Sequence, residues 1–512
     1  MSAPTHHREI ERKFRVDRAF TLPDLTAVEG IEGVHPQNPV DMSAIYHDTS
    51  DLTLIRWRTT LRRREGGADA GWHLKLPVAG SDGTTRDELH LPLDAGRAGS
   101  VPAMLADIVS PLVRGAELEA VARVHTIRHP HALVDASGAA VLELVDDAVE
   151  VFGSDGALVA DFREIEVEVV AADDARVETL LDAVSQALLA AGAEPSSVTK
   201  AASALGPRAA DPPDVPAFAL PADGGLAVDV VQAALADHVR RLLLADVGVR
   251  RNLPDAVHQM RVAARRLRSI LRSYREVLDG DWADGLAEEL RWMANELGAI
   301  RDTEVLQSRL DAHAALLDDP DAEAARAVVD ERLTARLAAA RSGALAALRS
   351  DRHAWLLDDL IRAVHEPPVI DAAFQRADEV LPPHAATSWR RFARAVKGLD
   401  FDSPSTDWHE ARIRAKRARY AIEALVPISG KRVAAWAAAM AEVTEVLGEH
   451  QDAHIAQAAV RTLAESPSVT GAQGFALGRL HDLERELEFI ARLTFFERWP
   501  AIARSAKKSG KV

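Results

Sequence analysis

The segment Glu9-Ile10-Glu11-Arg12-Lys13-Phe14, close to the start of the chain, places two carboxylates and an amine at every second position. Alternate side chains of a β-strand point to the same face of a sheet, so these three groups share one face. Much later, Glu164-Ile165-Glu166-Val167-Glu168 carries an acidic row of the same kind. The alternation predicts two strands, each with a charged face and a mostly apolar face. For one strand taken alone, the simplest interpretation is a charged face turned to water.

Basic residues recur at a similar alternation on neighbouring strand-like runs. They are Arg62, Arg64, Lys75, Arg86 and Arg128. If all these faces point inward, they line a barrel with opposed acids and bases. Because buried charge is costly unless it is paired or liganded, such a lumen favours a ligand that carries both positive and negative charge. A divalent metal ion with a polyphosphate meets this condition, since carboxylates bind the hard cation and Arg and Lys bind phosphate oxygens.

The latter half of the chain contains a basic helical pattern that occurs twice. The first copy consists of His258, Arg261, Arg265, Arg266 and Arg268, and the second of His409, Arg412, Lys416, Arg417 and Arg419. The main row of each copy has offsets of three, four and three, which put its members on one helical face. Like charges at these offsets repel one another until an anion neutralises them. The pattern therefore predicts polyanion binding.

A solvated arginine-rich face would explain one basic helix, but the similarity continues downstream. Leu297-Gly298 and Asp302 follow the first copy at nearly the distance at which Leu447-Gly448 and Asp452 follow the second. Two copies of one helical unit are therefore expected.

Composition limits the class of protein. A chain of 512 residues is too long for one core and is expected to form two to four domains. It contains no cysteine, which excludes disulfides, a thiolate nucleophile and zinc-thiolate sites and fits a reducing compartment. No apolar run suggests a signal peptide or a membrane span, so we expect a cytoplasmic protein without a membrane partner. The net charge of -17 argues against a nucleic-acid binder, so any anion site must be local.

The organisation of the chain changes after its first two hundred residues. Before that point, short alternating runs separated by Gly, Asp and Pro clusters are typical of strands, and residues 173–191 form the clearest helix. A stretch rich in Pro, Ala, Asp and Gly then lacks periodicity, as in a linker, and helical periodicity follows almost to the end. We therefore expect domains at 1–205 and 225–506, with a linker at 206–224.

The N-terminal region resembles the CYTH superfamily, the triphosphate tunnel metalloenzymes. Residues 9–13 match the Glu-x-Glu-x-Lys signature of that family. Further matches follow in the family's order: Tyr46-His47-Asp48-Thr49, Leu61-Arg62-Arg63-Arg64, Trp72-His73-Leu74-Lys75-Leu76-Pro77, Arg128, Asp147, Glu164-Ile165-Glu166-Val167-Glu168 and Lys200. The duplicated basic helices are similar to a CHAD domain, a histidine-containing helical module associated with polyphosphate binding. Together the resemblances imply an α+β protein, in which an antiparallel eight-stranded β-barrel tunnel precedes an all-α domain of two pseudo-symmetric helical bundles.

The resemblance to the CYTH family also implies roles for individual residues. Mg²⁺ or Mn²⁺ would be held by Glu9, Glu11, Asp147, Glu164 and Glu166. The groups expected to bind the triphosphate are Lys13, Arg62, Arg64, Lys75, Arg86, Arg123, Arg128 and Lys200. The catalytic set would consist of Glu9, Glu11, Lys13 and Glu168. Either metal ligation or a spare carboxylate such as Glu168 would orient and activate the water, and the sequence does not identify the base.

Some assignments leave alternatives open. Asp146 and Asp147 are adjacent, and alternation with Glu143 favours Asp147 as the inward residue. Arg123 and Arg128 both suit a phosphate contact, and Arg128 matches the family position better. The segment 196–200 departs from the usual Ser-Lys pairing of the family. The histidines of the two basic helices lie among arginines that repel a cation, so phosphate hydrogen bonding or helix packing is expected of them rather than metal chelation.

Three functions remain as hypotheses. The first is a metal-dependent inorganic triphosphatase that hydrolyses tripolyphosphate, with a C-terminal module that docks long-chain polyphosphate or localises the enzyme to polyphosphate granules. The second is a non-catalytic polyphosphate-binding protein. The third is an adenylate cyclase or thiamine triphosphatase, which would require a base-stacking or aromatic pocket. The N-terminal region offers few candidates for such a pocket beyond Trp57, Trp72 and Tyr46.

Overall fold

The protein divides into two compact units, Met1–Asp214 and Val215–Val512. The structure is a computed structural model that describes residues 4–78, 85–97, 99–153, 155–170, 176–196, 198–220 and 225–509. Part of the predicted linker, residues 221–224, therefore lies outside the described residues. The first unit is mainly β-structure and the second is helical.

The first unit contains ten strands and four α-helices in its described part, besides three short 3₁₀ helices. The strands are β1 (Thr5–Val16), β2 (Gly33–Pro36), β3 (Val40–Asp48), β4 (Thr60–Glu65), β5 (Gly71–Pro77), β6 (Thr85–Pro92), β7 (Glu119–Val134), β8 (Ala140–Gly153), β9 (Leu158–Val169) and β10 (Glu194–Pro195). The helices are α1 (Thr53–Arg56), α2 (Ala103–Val113), α3 (Val177–Ala190) and α4 (Lys200–Leu205).

The first strand closes the sheet into a barrel. The antiparallel order runs β1-β6-β5-β4-β3-β7-β8-β9 and returns to β1. Residues 5–10 of β1 pair with β6, whereas residues 11–16 pair with β9. This confirms the predicted antiparallel barrel of eight strands, to which β2 and β10 are added at β7 and β1.

The apolar faces of β1 and β9 form the outer surface of the barrel beneath α3. Phe14 and Ile165 pack with Leu180, Val184 and Leu188 in one buried cluster. The predicted helix at 173–191 thus corresponds to α3, although residues 173–175 lie outside the described residues. Because this face is covered by apolar side chains, the charged face of the same strands must point into the barrel.

The inward faces of β3, β7 and β8 carry apolar side chains next to α4. Tyr46, Val124 and Val149 share a cluster with Ala201 of α4. At the end of β3 the buried Asp48 carboxylate accepts hydrogen bonds from the backbone N–H groups of residues 49, 54 and 55, which fixes the turn into α1. This packing holds the start of α4, and with it the Lys200 side chain, against the barrel interior.

The second unit consists of helices throughout its described part. They are α5 (Ala227–Arg250), α6 (Ala256–Ser273), α7 (Gly280–Glu296), α8 (Gly298–Ala314), α9 (Asp319–Leu348), α10 (Asp351–His365), α11 (Ala377–Val380), α12 (Pro382–Val396), α13 (Ser405–Glu423), α14 (Val426–Ala464) and α15 (Gly471–Ser509). The two predicted basic patterns lie on α6 and α13.

The two halves of the helical unit correspond in order. The chain runs from α6 through α7 to α8, and in the second half from α13 along α14, which is kinked at Gly430. Leu297 separates α7 from α8, whereas its counterpart Leu447 lies within the continuous α14. The halves share a core, because Leu310 of α8 and Val329 of α9 pack with residues of α14 and α15. Within the described residues, none of these helices has the length and apolarity to cross a membrane.

Candidate functional site

The charged residues predicted from strand alternation come together inside the barrel. Glu11 pairs in register with Glu168, and Lys13 with Glu166. Further around the barrel, Asp147 lies opposite Glu164. The buried carboxylates of this set are Glu9, Glu11, Asp147, Glu164 and Glu166. A closed sheet with this register brings acids from β1, β8 and β9 to one region.

Three of these carboxylates form a cluster around the Lys200 ammonium. Asp147, Glu164 and Glu166 each offer an oxygen within 4.8 Å of the others. Lys200 Nζ lies 2.9 Å from Asp147 Oδ2, 2.7 Å from Glu164 Oε1 and 2.9 Å from Glu166 Oε1. Arg128 donates two hydrogen bonds to Asp147, of 2.9 and 2.7 Å, and one of 3.0 Å to Glu166. The cluster is therefore neutralised by the protein's own cations.

The protonation preferences of the three carboxylates differ. Burial disfavours the charged form of Asp147, but Lys200 and Arg128 outweigh it and lower the pKa of Asp147. Burial likewise opposes ionisation of Glu166, and Lys13 and Lys200 hold the pKa of Glu166 well below its usual range. For Glu164 burial dominates and raises the pKa. Both oxygens of Glu164 are buried and accept no hydrogen bond of good geometry, despite the nearby lysine.

The chemistry of this cluster fits a hard divalent cation. Three carboxylates supply oxygen ligands, the type that magnesium and manganese prefer. Glu164 Oε1 lies 2.7 Å from Lys200 Nζ, and within the described residues Glu164 Oε2 has no hydrogen-bond partner, so this carboxylate is suited to accept a metal ion. Among the described residues this is the one group of potential ligands packed closely enough to hold a metal.

Glu9 and Glu11, also predicted as metal ligands, are paired with lysines in this structure. Lys75 Nζ lies 2.5 and 2.7 Å from the two oxygens of Glu9. Lys13 Nζ lies 3.1 Å from Glu11 and 2.5 Å from Glu166, so it links Glu11 to the cluster. Burial opposes ionisation of Glu11, and Lys13 and Lys75 lower its pKa. Direct coordination by these two glutamates stays a prediction.

Glu168 is the carboxyl group with the most unusual protonation. Burial, with the negative charges of Glu9 and Glu11 nearby, raises the pKa of Glu168 to about 8. This carboxyl group can therefore exchange a proton near neutral pH. That property suits the water-orienting role predicted for it.

Arginines from β4 supply donors to the same interior. Within the described residues, the Nε groups of Arg62 and Arg64 are buried without a hydrogen-bond partner, and Arg62 also donates a 3.3 Å bond to the Tyr46 hydroxyl. Arg86 lies in register with Glu9 on the neighbouring strand. Buried N–H donors without an acceptor are costly, and phosphate oxygens are acceptors that match an arginine fork.

One predicted substrate-binding residue, Arg123, is on the wrong face. Its side chain is exposed on the outside of β7, whereas Arg128 reaches Asp147 inside the barrel. The two residues are five positions apart, an odd number, so strand alternation puts them on opposite faces. Asp146 also points outward, where it binds Arg163 through bonds of 2.8 and 2.6 Å, and Asp147 is the inward residue of the pair.

Glu88 on β6 belongs to the same charge network, although it was not predicted from the sequence. Its carboxylate lies 2.7 Å from His73 Nδ1 and 4.0 Å from Lys75 Nζ. Burial opposes its ionisation, but Lys75 and a hydrogen bond from His73 lower the pKa of Glu88. Glu88 is two positions after Arg86 on the same strand and therefore shares its inward face, so strand alternation could have identified it. Within the segment 196–200, which departs from the family's usual Ser-Lys pairing, Ser197 lies outside the described residues, and Thr199 caps α4 by accepting a 3.1 Å bond from Ala202 N–H.

In the helical unit, α6 and α13 pack against each other and bring their basic rows together. Arg266 forms an ion pair with Glu423, and its guanidinium lies 4.6 Å from the centre of the Tyr420 ring. Arg419 donates hydrogen bonds to Glu423 and Thr444. The shared downstream aspartates have equivalent roles, because Asp302 lies 3.3 Å from Arg261 and Asp452 lies 3.9 Å from Arg412. This pairing supports the interpretation of α6 and α13 as two copies of one unit.

The surface between these helices has more positive charge than its neighbours neutralise. In the part of the chain that the structure describes, the Nε groups of Arg265, Arg268 and Arg412 are buried without a hydrogen-bond partner. Burial, together with Arg412 and Arg265, lowers the pKa of Lys416 to about 7. We call Arg261, Arg265, Arg268, Arg412 and Lys416 the central basic surface. Such a surface is suited to an anion that supplies the missing charge.

The predicted histidines lie at the edge of this surface. Burial and then Arg301 lower the pKa of His258, which favours its neutral form. His409 Nδ1 lies 2.6 Å from the amide oxygen of Gln451. Neither histidine belongs to the described group of potential metal ligands.

Comparisons with known proteins agree with this division into two units. A CYTH domain model matches residues 7–202 and a CHAD domain model matches residues 233–461. The chain is 34% identical over 514 residues to an uncharacterized protein of Mycobacterium tuberculosis (strain CDC 1551 / Oshkosh), which covers 94% of each chain. Among solved structures, PptA from Streptomyces chartreusis is 27% identical with a TM-score of 0.47 and covers 54% of this chain and 100% of its own. The CHAD domain of the plant Ricinus communis is 25% identical with a TM-score of 0.43 and covers 55% of this chain and 94% of its own.

Replacement of Lys200 by methionine tests the charge balance of the acidic cluster. We expect the barrel's free energy of unfolding at neutral pH to fall by about 3–5 kcal/mol, because three buried carboxylates lose their common partner. Lys200 lowers the pKa of Asp147, so its contribution to stability is present above the unfolded pKa and is lost as pH falls. The difference from wild type should therefore persist down to about pH 4 and shrink only as pH falls further, below the unfolded pKa of aspartate. Hydrogen exchange of the β8 and β9 amides during urea unfolding would measure it.

Arg208→Met is the matched control, since its side chain is 63% exposed just after α4. It should change the free energy of unfolding by about 0.5 kcal/mol at most. Equal stability of wild type and Lys200→Met at neutral pH would show that the lysine does not compensate the cluster.

Proposed function

The chain belongs to the CYTH and CHAD families, and we propose that its barrel is a metal-dependent inorganic triphosphatase and that its helical unit binds polyphosphate. The CYTH family generally comprises phosphoryl-transfer enzymes or hydrolases that depend on a metal ion. The observation that supports the proposal for the barrel is the juxtaposition of two groups in one closed lumen. Buried carboxylates suited to a cation lie beside buried arginine donors that lack an acceptor.

The residues of the barrel divide into those that would hold a metal ion and those that would hold phosphate. Asp147, Glu164 and Glu166 would bind magnesium or manganese, which when bound supplies Lewis-acid stabilisation of charge on the phosphoryl oxygens. The expected phosphate donors are Lys13, Arg62, Arg64, Lys75, Arg86, Arg128 and Lys200. Phosphoryl transfer depends mainly on positioning and charge neutralisation, so this arrangement needs no covalent nucleophile.

Hydrolysis also requires water to be oriented and a proton to be removed. Water adds to a terminal phosphorus of tripolyphosphate, the phosphoanhydride bond breaks, and the products are pyrophosphate and orthophosphate. In our proposal Glu168 accepts the proton from that water, because a pKa near 8 allows its carboxyl group to change protonation state at neutral pH. Burial, and after it the negative charges of Glu9 and Glu11, keep the pKa of Glu168 in this range.

The geometry favours an inorganic substrate over a nucleotide or thiamine triphosphate. The aromatic residues considered for base stacking are Tyr46, Trp57 and Trp72, and all three are buried in the core at 6%, 3% and 0% exposure. Trp57 also donates a 2.8 Å hydrogen bond to Asp214, and Tyr46 packs against α4. Their packing leaves no exposed ring face among the three for a base.

Glu166→Gln and Glu11→Gln test the catalytic role of the barrel. We expect phosphate release from tripolyphosphate with magnesium to fall by about 100-fold or more in each variant, because Glu166→Gln removes a proposed metal ligand and Glu11→Gln removes the carboxylate that pairs with Lys13 beside the cluster. The assay should compare tripolyphosphate, ATP, thiamine triphosphate and long-chain polyphosphate, with and without magnesium, on the full chain.

Glu150→Gln, an exposed carboxylate of β8, is the control and should retain wild-type turnover. Unchanged turnover in Glu166→Gln would contradict the metal assignment. Absence of turnover of every substrate by the wild-type protein would instead favour the non-catalytic polyphosphate-binding protein.

For the helical unit, combining Arg261→Glu with Arg412→Glu tests polyphosphate binding. We expect the Kd for long-chain polyphosphate to rise by about 100-fold, because two central cations become anions. Wild-type affinity should also fall with added salt, as counterion release requires. The measurement uses a Glu166→Gln background to prevent hydrolysis. The control combines Arg461→Glu and Arg485→Glu, two exposed arginines away from the central basic surface. A Kd that does not change with salt concentration would contradict the proposal.

Lys416 gives polyphosphate binding a predicted pH dependence. Its pKa near 7 means that the free protein loses this charge as pH rises through neutrality, whereas a bound polyanion favours the protonated lysine. We expect the affinity of wild type to fall by about threefold to tenfold between pH 6 and pH 8. Lys416→Arg keeps its charge and should match wild type at pH 6 but show a flatter profile. Parallel profiles of the two proteins would contradict this assignment.

A further inference from the structure

A pocket lined by arginines lies between α12 and α13, beside the central basic surface. Its volume is about 310 Å³. The lining residues are Arg391, Arg394 and Ser388 of α12 and Glu410, Arg414 and Arg417 of α13. Of these, only Arg417 belongs to the repeat predicted to bind polyphosphate. We call this cavity the α12–α13 pocket.

The pocket carries positive charge that its own residues do not neutralise. Its one carboxylate, Glu410, accepts a 2.8 Å hydrogen bond from Arg414 Nε one helical turn away. Within the described part of the chain, Arg391, Arg394 and Arg417 form no ion pair with a carboxylate. Three cations therefore face one cavity on a chain whose net charge is -17. Such a concave basic site concentrates anions against the field of the surrounding acidic protein.

The lining also indicates the kind of anion. All six lining side chains are polar or charged, and none is an aromatic ring on which a base could stack. Arginine forks bind phosphate oxygens through paired N–H groups. A compact anion with many oxygens, such as a stretch of linear inorganic phosphate, therefore fits this lining better than a nucleotide.

Arg417 connects the pocket to the central basic surface. On α13 it immediately follows Lys416, so its side chain is turned by about 100° from that row. It lines the pocket with Arg414, three positions earlier. Burial and then Arg417 lower the pKa of Arg272 on α6, and for Arg268 the charge of Arg417 contributes after burial, Arg272 and Arg291. Arg417 therefore lies close enough to the basic residues of α6 to interact with their charges.

We propose that the α12–α13 pocket is a second binding site for inorganic phosphate chains, which a chain long enough to occupy the central basic surface also enters through Arg417. This inference rests on the proposed polyphosphate binding by the helical unit. Occupation of two connected sites by one molecule raises affinity through effective concentration rather than through stronger individual contacts. The affinity of the protein should therefore increase with chain length beyond what the central basic surface alone would give.

The test is the double variant Arg391→Glu with Arg394→Glu. Both side chains are exposed, so the substitutions should leave the fold intact, as circular dichroism would verify. In a Glu166→Gln background, the Kd for long-chain polyphosphate should rise by about tenfold or more, while the Kd for tripolyphosphate should stay within about twofold of its starting value. Arg391→Gln with Arg394→Gln should show a smaller loss of the same kind.

The matched control combines Arg390→Glu with Lys397→Glu, which reverses two exposed charges on and just after the same helix but outside the lining. It should retain most of the long-chain affinity. An equal loss in this control would show that only the overall charge of α12 matters, and the proposal would fail. An equal loss for tripolyphosphate and the long chain in the pocket variant would also overturn it, since the pocket would then bind short phosphates independently.

The result for Arg261→Glu with Arg412→Glu distinguishes a failure of the pocket proposal from a failure of polyphosphate binding by the helical unit. If that variant weakens long-chain binding and the pocket variant does not, the pocket proposal is wrong while polyphosphate binding by the helical unit stands. If neither variant weakens binding, polyphosphate binding by this unit is itself refuted.

Discussion

Burial of charge in a closed barrel is the constraint on which the first unit depends. Taking a carboxylate or an ammonium out of water costs several kcal/mol unless a partner compensates it. The barrel meets this condition by alternating positive and negative side chains. The cations Lys200, Lys13 and Arg128 form ion pairs with the carboxylates of the acidic cluster, which are Asp147, Glu164 and Glu166. The pairing compensates the charges of both kinds of group inside the same barrel, where the carboxylates could bind a metal ion and the lysines and arginines could bind phosphate.

The helical unit responds to the same constraint in the opposite way. Its central basic surface brings cations of α6 and α13 together with few carboxylates between them, and burial together with the charges of Arg412 and Arg265 lowers the pKa of Lys416. Because exposed and half-buried charges are partly solvated, this surface can remain incompletely neutralised where the barrel interior cannot. The charges of the barrel are therefore neutralised before a ligand binds, whereas those of the helical unit would be neutralised by the ligand.

Strand parity made much of the barrel predictable from sequence. Alternation identified the inward faces of β1 and β9 and chose Asp147 over Asp146, because each face needs only a count of residues. It would also have excluded Arg123 and included Glu88 had it been applied to every strand. The α12–α13 pocket was beyond reach, since its arginines come from two helices whose relative rotation is fixed by packing. The pairing of Glu9 with Lys75 likewise depends on which strands become neighbours.

The divided pairing of β1 has a consequence for how the barrel could be taken apart. One half of this strand bonds to β6 and the other half to β9, and the same twelve residues carry Glu9, Glu11 and Lys13. A fragment lacking β1 would lose the seam of the sheet and part of the charge network together. Conversely, a synthetic peptide of this strand that restored the sheet would restore the charge network in the same step. The barrel is therefore suited to a split-protein reporter, because its reassembly would also form the site.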